Sequence, residues 1–174
     1  MVVATMEICE SNDDTGESIT HNITDLDCGS ADEADMDPTA NPVTVTEFAF
    51  FKLVRIHCTA IGGSNSVGNF KVWKSAGDYV TDEGIQCNLH VTQGTYDATK
   101  ITAWPGAPNA TEYTAYAMPT SEPATSNLGV GGTLAATLVA AGYSDYFKFQ
   151  RQSGASTPPG DANSLTISFK YDEQ

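Results

Sequence analysis

Three histidines, four cysteines and a dense run of carboxylates are the residues of this 174-residue chain that could do chemistry. Histidine serves as base or ligand when its spacing aims it at a partner, as in H-E-x-x-H on a helix face. Neither that motif nor G-x-S-x-G surrounds His21, His57 or His90. His57 and His90 lie on segments of strand character and could meet, but without a motif all three read as surface or rim histidines. Cys9, Cys28, Cys58 and Cys87 form no C-x-x-C pair, and His57 next to Cys58 is a poor chelating pair. Residues 25–37, DLDCGSADEADMD, have the oxygen density that calcium favours, yet Gly29 arrives too early and Glu33 and Asp35 are out of register for the calcium loop. The expectation is therefore no metal ligand, no cofactor and no catalytic residue.

Carboxylates are paired often only near the start of the chain, where a flexible segment could not hold them at the fixed separation that acid and base roles demand. The opening MVVATMEICES has no basic stretch followed by an apolar one, so no secretory signal is expected. Free thiols follow as the expected state of the cysteines. The sequons at Asn22 and Asn109 carry little weight on the same ground. No apolar run approaches the length of a membrane span. Trp73, Trp104, Tyr113 and Tyr116 could form a platform for stacking sugars or an interface, and core packing accounts for them equally well.

The net charge of −14 is unevenly placed. Residues 1–47 hold twelve acids and no Lys or Arg, whereas residues 48–174 hold ten acids against eight bases. Nucleic-acid binding needs clustered Lys and Arg and is not expected. The segment reads as an acidic extended arm over residues 1–42, bounded by the Asn41-Pro42 turn signal. Low apolar content and like charge favour a solvated tail. Met6, Ile8, Ile19, Ile23 and Leu26 recur among Asp13, Asp14, Glu17, Asp25 and Asp27, however, and suit an arm that orders on a basic-rimmed partner.

The remainder must supply the framework. Residues 43–60 are rich in Val, Phe, Ile and Thr, residues 70–73 form a short strand, and residues 85–91 alternate cleanly between apolar and polar. Residues 111–118 are a further strand candidate. Residues 131–142 fit a short helix or a strand, with the flanking glycines favouring a strand. The closing residues 143–174 read as two alternating strands joined by a Gly/Pro/Ser loop. The expected fold is all-β: an antiparallel β-sandwich, jelly-roll or immunoglobulin-like, over residues 43–174. Its expected core is Phe48 or Phe50, Val54, Ile56, Phe70, Val72, Cys87, Leu89, Phe147, Phe149, Leu165, Ile167 and Phe169.

Three stretches carry a family resemblance: NFKVW at 69–73, SDYFKFQ at 144–150 and SLTISFKYDE at 164–173. With the run from 41 onward, they resemble small virion-associated structural proteins of tailed bacteriophages, the decoration or cement-like β-sandwich proteins. The resemblance covers residues 41–174. It implies a non-enzymatic part of the virion, assembled in a host cytoplasm, whose partners are the major capsid protein and copies of itself, as a trimer by analogy. It also implies that the two closing strands pair or share a sheet. A tail, fibre or host-recognition domain that binds glycan through exposed aromatics is the alternative.

Overall fold

A computed structural model describes residues 3–12, 17–31, 33–46, 48–50, 52–81, 83–88, 116–158 and 163–174, and among these described residues the period-two segments form nine strands. These are β1 (Thr5–Asn12), β2 (Ser18–Thr20), β3 (Lys52–Ala60), β4 (Val67–Ala76), β5 (Glu83–Asn88), β6 (Tyr116–Ala117), β7 (Gly142–Tyr143), β8 (Phe147–Ser153) and β9 (Thr166–Glu173). The described residues contain no helix, and every strand pairing is antiparallel. The larger sheet runs β2-β1-β3-β8-β5-β6, with β7 also on β3, and does not close into a barrel; β4 and β9 form a second sheet.

Register decides which residues are buried. Met6 faces Cys58 and Ile8 faces Ile56 across β1 and β3, so these apolar side chains share one face. Val67, Phe70 and Val72 of β4 belong to the same core, and Ile167, Phe169 and Tyr171 of β9 pack against it. Phe147 of β8 meets Phe169 edge-on, with ring centroids 6.3 Å apart. Of the expected core, Phe48, Val54, Ile56, Phe70, Val72 and Phe147 are buried, and Leu165, Ile167 and Phe169 pack against it half-buried. Leu89 and the side chains of Cys87 and Phe149 lie outside the described residues.

Several register breaks interrupt the period-two pattern, and two of them shape the core and the outer face. His57 pairs with Tyr143 but Val54 pairs with Phe147, so the chain opposite β3 carries one residue too many. Ser144 repairs the ladder there: its backbone N donates to Ile56 O at 2.9 Å, and its Oγ accepts from Ile56 N at 2.9 Å. The extra residue reverses the parity of the strand, which puts Tyr143 and Tyr146 on one face although their numbers differ by three. In β4 the register shifts between Gly68 and Lys71, where Asn69 takes a left-handed φ of 51°. That shift lets Val67 join Phe70 and Val72 in the core.

Three sequence expectations change. Within the segment read as an arm, β1 pairs with β3 from Thr5↔Ala60 to Ser11↔Leu53 and belongs to the main sheet. The reason lies in the charges. Lys52 Nζ donates to Glu10 Oε1 at 2.7 Å and to Glu33 O at 2.7 Å, and the two side chains are 1% and 3% exposed. Residues 131–141 form turns and single bridges rather than a strand, and only Gly142 enters β7; Leu138 exchanges hydrogen bonds with Val67 at the edge of β4. The two closing strands do not pair: β8 lies between β3 and β5, whereas β9 pairs with β4.

Removing one partner of a buried ion pair leaves the other charge uncompensated. Lys52→Met is therefore expected to lower stability by about 3–5 kcal/mol in urea unfolding. Lys52→Met/Glu10→Gln should recover at least half of that loss. A single-variant cost below about 1 kcal/mol would contradict the buried pair.

Candidate functional site

The face of β1 turned away from the core carries Glu7, Cys9 and Ser11, because every second strand residue points the same way. Pairing sets His57 directly opposite Glu7 and Arg55 opposite Cys9. On the other side, the β1–β2 hairpin pairs Glu10 with Thr20, and continuing that register brings His21 beside Cys9. Four side chains from three segments thus converge, and one donor atom from each of Glu7, Cys9, His21 and His57 lies within 4.8 Å of all the others.

One oxygen is the hub. Glu7 Oε1 lies 2.6 Å from His21 Nδ1 and 2.6 Å from His57 Nδ1. Cys9 Sγ lies 3.3 Å from His21 Nδ1 and 3.7 Å from Glu7 Oε1. The hydrogen bonds from His57 and then His21 hold the Glu7 carboxyl below its usual range. Burial, followed by the Glu7 charge, pushes the Cys9 thiol up to about 11. Cys9 is fully buried, so a thiol this hard to ionise is a poor nucleophile despite the adjacent histidine. As a donor set, two imidazoles, one thiol and one carboxylate are the groups that bind transition metals.

A second polar group continues this face. The Arg55 guanidinium lies 3.8 Å from the Tyr143 ring centroid and 4.6 Å from that of Tyr146, while its Nη2 donates to Glu17 Oε1 at 2.9 Å. Ser11 Oγ donates to the same oxygen at 2.8 Å, and Tyr146 Oη donates to it as well. Burial and the Glu17 hydrogen bond raise the Tyr146 phenol above its ordinary value. Tyr143 also stacks on His57, with centroids 4.1 Å apart and planes 11° from parallel. The parity reversal at the bulge is what makes this possible: it puts both tyrosines over Arg55 and one of them against His57.

The sequence reading named no metal ligand and left His21 and His57 as rim histidines; the structure instead gathers both around Glu7. Met6, Ile8, Ile23 and Leu26, expected to await a partner, pack on this chain's own core. Ile19 is half-buried on β2, and Glu17 binds Arg55. Asp25 is exposed and Asp27 half-buried. Asp13, Asp14, His90, Trp104 and Tyr113 lie outside the described residues, as does the Tyr116 side chain. Trp73 is half-buried on β4, opposite Ser168. Cys9, Cys28 and Cys58 are free thiols. No protein-family model, curated protein or solved structure matches the chain.

Arg55 works here as a flat cation between rings, a role that lysine's compact ammonium does not reproduce. Arg55→Lys is expected to cost about 1–2 kcal/mol in chemical unfolding despite conserving charge. The cost should shrink in a Tyr143→Leu background; equal costs in both backgrounds would rule out the ring contact as its source.

Proposed function

We propose that this chain is a non-enzymatic structural protein of a tailed-bacteriophage particle, carried in many copies on the shell as a decoration protein. The observation that carries this reading is where the resemblance falls. Residues 69–73 lie within β4, residues 144–150 form the bulge and first half of β8, and residues 164–173 are β9 with its lead-in. The segments that carry the resemblance thus contribute Phe70, Val72, Phe147, Ile167 and Phe169 to the core region, so the likeness falls on framework rather than on a loop. The fold in this reading is a β-sandwich, with the β4–β9 sheet laid over the larger one across their shared core.

The acidic N-terminal part then acts as surface of the body rather than as an arm. Asp25, Glu33, Asp35 and Asp37 remain exposed, as does Val45. In the proposal these carboxylates face basic residues of the major capsid protein, and copies of the chain associate as a trimer by analogy with decoration proteins. Charges at the rim of such a contact govern association rate and salt sensitivity more than lifetime.

Counting copies on purified particles by quantitative mass spectrometry tests the reading. A number of the order of the capsid subunits, lost together with shell stability when the gene is deleted, is the expected result. A handful of copies at the tail, or none on the particle, would overturn it. Replacing Asp25, Asp35 and Asp37 by Asn should slow attachment to shells and flatten its salt dependence; attachment unchanged at every salt concentration would remove this surface from the contact.

A further inference from the structure

We propose that Glu7, Cys9, His21 and His57 bind one divalent transition-metal ion of the zinc class. In a tetrahedral zinc site, metal–ligand bonds of about 2.0–2.3 Å put neighbouring nitrogen and oxygen donors about 3.3 Å apart and nitrogen–sulfur pairs about 3.6 Å apart. The separations of Cys9 Sγ from His21 Nδ1 and from Glu7 Oε1, 3.3 and 3.7 Å, lie within about 0.3 Å of such values. The two 2.6 Å contacts between Glu7 and the histidines need to open by only about 0.7 Å, within the reach of side-chain rotation. The donor set also selects the ion. Calcium and magnesium seek cages of oxygen, and this cluster offers a single carboxylate against two imidazoles and a thiol.

The surroundings are those of a built site. Cys9 is buried, whereas the side chains of Glu7 and His57 are 18% and 19% exposed. His21, at 46%, leaves one side open for an ion to arrive. The Tyr143 ring stacked on His57 fixes the plane of that imidazole, the service that outer contacts provide around metal ligands. On binding, the Cys9 thiol forms a sulfur–metal bond and its proton passes to solvent; thiolate and Glu7 carboxylate together balance a double positive charge. The ion would then tie β1, the end of the β1–β2 hairpin and β3 to one another, and binding would stabilise the folded chain.

Cobalt(II) is a suitable probe, because tetrahedral cobalt absorbs visible light and a thiolate ligand adds a charge-transfer band. Titrating the full chain, stripped with chelator, should give both features, saturating at one equivalent and bleached by zinc. Excess zinc should raise the thermal unfolding midpoint. Cys9→Ser should abolish the charge-transfer band. His21→Ala, at the most exposed ligand, should weaken cobalt binding by at least about tenfold. The proposal fails if no tetrahedral cobalt spectrum develops and zinc leaves the midpoint unmoved. It fails equally if the band survives Cys9→Ser, which would assign it to another cysteine, or if His21→Ala binds cobalt as tightly as the native chain.

Discussion

β3 presents three groups that can carry positive charge, Lys52, Arg55 and His57, and each meets an acid from the first 17 residues. Lys52 takes Glu10 on the core side of the sheet, while Arg55 takes Glu17 and His57 takes Glu7 on the other. The rest of the molecule depends on this matching. β1 has no bases of its own, and the cations of β3 compensate the acids it brings into the sheet. Once β1 is seated, Met6 and Ile8 pack against the core that residues of β4 and β9 also join, and Glu7 and Cys9 stand where His21 and His57 can reach them.

The two faces of β3 divide the work. One supplies Val54, Ile56 and Cys58 to the core; the other supplies Arg55 and His57 to a polar cluster. The bulge at Ser144 serves both, since it delivers Phe147 inward and Tyr143 and Tyr146 outward without ending the ladder. Lys52 extends the same economy to the irregular segment that follows β2, by holding the carbonyl of Glu33. Close approach in that segment also depends on Gly29, where a Cβ would collide with Asn41 O and the Met36 side chain.

Much of the β framework was legible because alternation is local: Val54, Ile56, Phe70, Val72 and Phe147 announce their faces within five or six residues. Bulges escaped that reading, since a single inserted residue leaves no mark on composition. The polar cluster escaped for a different reason. Glu7 and His57 are fifty residues apart, and their meeting depends on strand register, which no short motif encodes. The pattern Glu7-x-Cys9 followed by a hairpin returning His21 was the available signal. The charge excess of residues 1–47 pointed the other way, because composition alone favours a solvated arm and says nothing of the cations waiting on β3.

Hydrogen–deuterium exchange of the β1 amides tests most directly whether the acidic segment is a strand of the body. If it is, the hydrogen-bonded amides of residues 5–11 should be protected to the same degree as those of β3 and should lose protection only with global unfolding. Exchange of residues 5–11 at the rate of an unstructured peptide, while β3 stays protected, would contradict the account.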